Sequence, residues 1–169
     1  TRFAALAGRM RAVVTVDPDL ARAEAAKQAL GADLATRDFA EALPHVDAVL
    51  IATPHHLHHP IGMACIATGK HVLMEKPLAI SEAQCLELIT AAERAGVTLM
   101  VGYSQRYHPL VVKMGELIKA KAYGDALHVS MWTEQYTRWP DDDAWAHKAA
   151  TLGGGQLFSH GCHYIDLML

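Results

Sequence analysis

Cysteine is scarce in this chain: its 169 residues hold three, Cys65, Cys85 and Cys162. An odd, scattered set excludes a disulfide framework and leaves the thiols as packing groups on helices. Long hydrophobic runs are missing too. None approaches the roughly 20 residues that a membrane-spanning helix needs, so no membrane partner is expected. Basic stretches are absent, with 15 Lys and Arg against 18 Asp and Glu and a formal net charge of -3. That balance argues against a nucleic-acid partner. There is no internal repeat and no low-complexity segment. The chain has no initial Met, and it stops at Leu169 within an apolar, helix-like run. We therefore read it as a fragment of a longer protein, with any targeting signal lying upstream of Thr1.

What is present is 51% hydrophobic and 20% charged, an ordinary globular composition sufficient for one domain or parts of two. Thr1 to Arg9 read as the tail of a helix. Arg11 to Val16 is a short β-rich run closed by Asp17-Pro18. Leu20 to Leu30 is an alanine-rich helix stopped by Gly31, with Asp17 expected as its N-cap and Pro18 at its first position. Ala32 to Thr36 is a weak strand, and Asp38 to Leu43 a short helix. Val46 to Ala52 is a buried strand running into Thr53-Pro54. A helix follows to about Thr68, closed by Gly69, and His71 to Met74 is the next strand. Ser81 with Gln84 has the capping-box pattern. It opens a helix whose apolar stripe is Cys85, Leu86, Leu88, Ile89 and Ala92, ended by Gly96. Val97 to Val101 is again a strand.

Strands alternating with helices of this length predict a parallel, doubly wound sheet. Near-continuous apolar strands predict cover on both of its faces. From Ser104 the pattern changes. A helix spans Pro109 to Ala120, and Leu127, Val129 and Met131 then alternate with His128, Ser130, Trp132 and Glu134. That is the pattern of a half-exposed strand in an antiparallel sheet. A domain boundary is therefore placed near residue 103.

The chemistry concentrates at strand ends. His71 to Met74 runs straight into Glu75-Lys76-Pro77. Proline cannot donate to a ladder and restricts the residue before it, so the strand must stop at a rigid turn carrying a lysine. In open α/β sheets the carboxyl ends of strands are where ligands bind. Asp17 ends an earlier strand, where a carboxylate can accept hydrogen bonds from ribose hydroxyls and repel a 2'-phosphate, favouring NAD over NADP. It can also simply cap the helix. The glycine-rich phosphate loop that would accompany it is expected upstream of Thr1. His55, His56, His58 and His59 invite a zinc reading, but no carboxylate or thiolate completes the set, so no metal is expected. Arg106 is either a clamp for a substrate carboxylate or phosphate or half of a structural salt bridge. Trp132 and Trp139 read as packing residues, Trp145 as a candidate stacking face for a sugar, and Asp141 to Asp143 as a solvated loop.

Four segments, taken together and in order, carry a resemblance. They are Ala52-Thr53-Pro54-His55-His56-Leu57-His58, then Gly69 through Glu75-Lys76-Pro77 to Ala79. Next come Val101-Gly102-Tyr103-Ser104-Gln105-Arg106-Tyr107-His108-Pro109, and Gly153-Gly154-Gly155 followed by His163 and Asp166. The chain resembles the Gfo/Idh/MocA oxidoreductases, which include glucose–fructose oxidoreductase and inositol 2-dehydrogenase. The resemblance implies an NAD(P)-binding Rossmann domain over residues 1–103, lacking its first strand. It implies over 104–169 the start of a C-terminal α/β domain with a largely antiparallel open sheet, serving substrate binding and oligomerisation.

The resemblance further implies hydride transfer between the nicotinamide and a sugar, cyclitol or related polyol. Lys76 and His163 would be catalytic. Asp17, Thr53, Pro54, His58, Glu75 and Lys76 would bind cofactor, and Arg106, Trp145, Ser159 and His163 the substrate. The Lys76–Pro77 peptide is expected to be cis, as is frequent in this family. A lysine amine desolvated beside a cation can serve as the base that removes a hydroxyl proton. The family usually places an aspartate four residues before the histidine of His163, where this chain has Ser159. A serine can orient the ring but brings no charge. That departure leaves open an NAD-dependent, redox-neutral glycosidase and a non-catalytic cofactor-binding sensor. The expected partners are a small sugar-like molecule and, at full length, further copies of the chain. The expected location is the cytoplasm.

Overall fold

The computed structural model describes residues 8–134 and 145–169. The expectations for Thr1 to Ala7, Trp139 and Asp141 to Asp143 lie outside those residues. Strand β1 (Val14–Val16) pairs in parallel with β2 (Leu34–Thr36), and α1 (Leu20–Leu30) connects them. A short α2 (Phe39–Ala42) and a 3₁₀ turn (Leu43–His45) lead to β3 (Ala48–Ile51). Then follow α3 (His55–Ala67), β4 (His71–Met74), α4 (Glu82–Ala95) and β5 (Leu99–Val101). Strands β3, β4 and β5 form a second parallel sheet in that order.

The two sheets are not joined: no pairing links β1 to β3 among the described residues. In the doubly wound order a further strand stands between those two. Leu50 on β3 is 56% exposed.

Local chemistry explains most boundaries. Gly31 and Gly96 close α1 and α4 in the left-handed region, at φ of 68° and 66°. The Ser81 hydroxyl accepts the Gln84 N–H of α4 at 3.4 Å, while the Gln84 side chain turns to the Ile80 N–H instead of completing the box. At α1 the cap is Asp19, not Asp17. The Asp17 N–H still pairs with the Thr36 carbonyl at 3.2 Å, so Asp17 finishes the strand and the helix opens two residues later. Asp19 Oδ1 accepts the Ala21 N–H at 3.0 Å, and Asp17 Oδ1 accepts the Asp19 N–H at 2.8 Å.

The core sits on one face of the three-stranded sheet. Ile51, Val72 and Met74 pack there against Cys65 and Ile66 of α3 and Leu88 and Ala92 of α4. Cover on both faces was expected and is not found in the described residues. Right-handed crossovers between sequential neighbours lay α3 and α4 on the same side. The other face carries the register row Leu50–Leu73–Met100, with Leu50 and Met100 exposed. Leu86 and Ile89 of α4 also face outward, so the stripe on that helix is narrower than its sequence suggests.

After a 3₁₀ turn (Ser104–Tyr107) and α5 (Pro109–Lys119) comes the expected half-exposed strand, which does not form. Residues 125–134 have no regular structure, and Leu127 is 94% exposed. A strand needs a paired neighbour, and among the described residues none lies alongside. The chain continues through α6 (Ala149–Leu152), a π-helical turn (Leu157–Gly161) and α7 (Cys162–Met168). None of the described helices is long and apolar enough to cross a membrane.

Candidate active site

Three loops leave the carboxyl ends of β3, β4 and β5, at 52–54, 75–77 and 102–104. The ladder runs on into them, since Glu75 N–H donates to Ile51 C=O and Gly102 N–H to Met74 C=O, each at 2.8 Å. Lys76 is thereby fixed at the end of the central strand. Its peptide to Pro77 is cis, and Glu75 Oε2 accepts the Lys76 backbone N–H at 3.2 Å.

The Lys76 amine reaches out of the sheet. Its Nζ donates to the Ser159 backbone carbonyl at 2.8 Å, in the π-helical turn that leads into α7. Single π turns inside helices recur at functional sites. The Ser159 contribution is thus a main-chain oxygen, with its side chain buried. Two further contacts seat this helix, and a third holds the end of α6. Arg106 and Asp166 form a two-point ion pair, with Arg106 Nε to Asp166 Oδ2 at 2.8 Å and a second contact from Nη2 to Oδ1. The Tyr103 and His163 rings meet edge to face at 6.0 Å. At the end of α6, His55 Nδ1 lies 2.9 Å from the Leu152 carbonyl, with the Trp145 ring edge-on at 4.6 Å.

Lys76 meets the Ser159 carbonyl in the turn that leads to His163. Arg106 is held by Asp166, which is the structural alternative of the two considered. Trp145 lies against His55. Pro54 stands at the N-cap of α3 and offers no side-chain bond there. Asp17 belongs to the other sheet, at the end of β1. His58 is completely buried, with Nδ1 2.8 Å from the Pro77 carbonyl and Nε2 2.9 Å from the Thr53 carbonyl. His59 pairs with Glu87 at 2.7 Å. Among the described residues no three His, Cys, Asp or Glu side chains converge as a metal site. Two parts of the arrangement had escaped the sequence reading. Tyr103 follows β5 and so was open to inference, whereas the Leu152 and Ser159 carbonyls leave no side-chain signal.

Among the described residues, four buried side-chain atoms have no protein partner: Thr53 Oγ1 and Nδ1 of His56, His160 and His163. Such atoms carry a penalty of about 1–3 kcal/mol each unless something else satisfies them. Thr53 lies at the strand ends, and His160 and His163 flank the carbonyl that holds Lys76. The donors and acceptors present thus fit a polar ligand there.

Burial lowers the pKa of His163, and the charges of Lys76 and His160 lower it further, against the opposing pull of Glu75 and Asp166. Burial and then Lys76 lower His160. Burial also lowers His55, outweighing its bond to Leu152. Burial raises the Tyr103 hydroxyl. A histidine whose folded pKa is depressed adds stability above its unfolded pKa, and that stability is lost as pH falls toward the folded value. With an ordinary value of 6.5 and three such rings, the unfolding midpoint should drop as pH is lowered through and below 6.5. Thermal melts followed by circular dichroism read this directly, and a flat midpoint over that range would remove the claim that these rings are neutral in the fold.

Comparison with known proteins then decides the lineage. Residues 2–103 match the model described as "Oxidoreductase family, NAD-binding Rossmann fold", and residues 111–169 match the GFO/IDH/MocA C-terminal domain. The chain belongs to the GFO/IDH/MocA oxidoreductase family. Trans-1,2-dihydrobenzene-1,2-diol dehydrogenase of Xenopus laevis is 33% identical over 129 residues, 74% of this chain and 37% of that protein. The scyllo-inositol 2-dehydrogenase (NADP(+)) of Bacillus subtilis is 34% identical over 128 residues, 75% of this chain and 35% of that protein. Among solved structures, an NAD binding oxidoreductase from Klebsiella pneumoniae superposes with a TM-score of 0.79 at 32% identity, covering 98% of this chain and 45% of that one. The chain therefore spans less than half the length of these GFO/IDH/MocA relatives.

Proposed function

We propose that the chain carries the hydroxyl-activating part of an NAD-dependent dehydrogenase acting on a ring alcohol of a cyclitol, sugar or related polyol. The observation that carries the reading is the Lys76 amine, held by the Ser159 carbonyl beside His163 at the carboxyl ends of the sheet. The relatives support the substrate class, since the two dehydrogenases named above take a cyclic dihydrodiol and a cyclitol. Both substrates present neighbouring hydroxyls on a six-membered ring.

Bound NAD would supply the hydride acceptor. Thr53 Oγ1 is the free hydrogen-bonding group at the β3 end for holding such a cofactor. Asp17 Oδ2 plays that part at β1, because Oδ1 is engaged by Asp19. A carboxylate there accepts ribose hydroxyls and repels a 2'-phosphate, which favours NAD over NADP. The bond to the Ser159 carbonyl fixes the direction of Lys76 Nζ. That amine is the base that takes the proton of the substrate hydroxyl as the alcohol becomes a ketone. Burial lowers the pKa of His163, and its unpartnered Nδ1 supplies a second hydrogen bond to the reacting oxygen.

The test is to incubate the full-length protein and NAD with a panel of cyclitols, aldoses and cyclic diols, following absorbance of the reduced nicotinamide. We expect reduction with some panel members. Silence across the panel would defeat the reading. The redox-neutral glycosidase would instead release an aglycone with no net reduction, and the dehydrogenase relatives do not favour it.

A further inference from the structure

We propose that His58 is a positioning residue that sets the Lys76 amine in place by clamping the two backbone loops of the site. The proposal deepens the dehydrogenase reading and rests on it for its kinetic part. His58 is wholly buried, and its ring spans from the Thr53 carbonyl after β3 to the Pro77 carbonyl after β4. These strands are parallel neighbours, so the ring ties together the ends of two adjacent strands.

The loop at 75–77 needs such a tie. Pro77 has no N–H, which removes one of the means by which a backbone is normally anchored. Its carbonyl is what remains, and His58 Nδ1 meets it at 2.8 Å. Pro77 follows Lys76 directly, so fixing that carbonyl fixes the backbone next to the residue whose amine does the chemistry. Both oxygens can only accept. A ring carrying both N–H groups satisfies both contacts, and a ring carrying one satisfies one. Because both nitrogens face protein carbonyls and no part of the ring reaches solvent, His58 acts through the loops and not by touching a cofactor.

The decisive comparison sets His58→Phe, which keeps a flat ring without donors, beside His58→Gln, which keeps an amide donor. A catalytic group displaced by about 1 Å loses on the order of 100-fold in rate. We therefore expect His58→Phe to lower kcat by about 10- to 100-fold with the KM for NAD unchanged, and His58→Gln to recover part of the loss. A raised KM for NAD with kcat intact would overturn the proposal in favour of cofactor contact, and wild-type kinetics in both variants would overturn it outright. A second readout is independent of turnover: the rate at which an acylating reagent labels Lys76, resolved by peptide mass spectrometry. Labelling that differs several-fold between wild type and either folded variant supports the clamp, and equal rates refute it. If wild type shows no turnover on the polyol panel, the dehydrogenase reading fails, and the labelling rates alone then decide the role of His58. If His58→Phe does not fold, the same comparisons are made with His58→Gln.

Discussion

Replacing Lys76 with alanine should lower kcat on the polyol substrate by about 10²- to 10⁴-fold, the usual span for a lost general acid or base. The backbone around Lys76 is fixed by groups that the substitution leaves alone: the Glu75 N–H to Ile51, and the Pro77 carbonyl at His58. What disappears is the amine and its bond to Ser159. The fold should therefore survive, and binding of NAD should change little. Steady-state kinetics with a parallel thermal melt separates the two effects. Full turnover by Lys76→Ala would show that the hydroxyl proton leaves by another route.

The second large effect belongs to Gly153→Ala. Gly153 adopts φ +91°, a region open to glycine and strained for other residues. An added Cβ would stand 2.8 Å from Phe158 Cε1 and 2.9 Å from Ile80 Cβ. Ile80 is β-branched and stiff, so it cannot swing aside as a long flexible chain does. Backbone strain and overpacking together should destabilise the protein by about 2–4 kcal/mol. The damage is also local to the site. Gly153 adjoins Leu152, whose carbonyl His55 holds, and the turn leads to Ser159. Denaturant midpoints measure the loss, and an unchanged midpoint would contradict the packing seen here. Adding Ile80→Ala to Gly153→Ala should restore little, because the Ile80 Cβ and Phe158 Cε1 that meet the added methyl stay in place and the strained φ remains.

The sequence was most informative where glycine and proline punctuate it. Leu20–Leu30 and His71–Met74 were placed to the residue, since Gly31 and Pro77 permit no continuation. It misled at Asp17, because two aspartates flank Pro18 and only the bond from Asp17 to Thr36 shows which one ends the strand. That α3 and α4 lie on the same face of the sheet follows from crossover handedness, which no apolar run encodes. The alternating segment after Leu127 has a strand's pattern, but pattern alone cannot pair it. At the site, the resemblance had named both Lys76 and His163. The atom that holds the lysine is a backbone carbonyl of Ser159, and composition is blind to main-chain oxygens.

The central claim is that a hydride leaves the alcohol carbon for the nicotinamide while Lys76 takes the proton. A cyclitol deuterated at its hydroxyl-bearing carbons, incubated with the full-length protein and NAD, tests this directly. Mass spectrometry of the recovered cofactor should find one deuterium in each reduced nicotinamide, with the label absent from Lys76→Ala reactions over the same interval. Reduced nicotinamide without deuterium, or equal labelling by Lys76→Ala, would contradict the account.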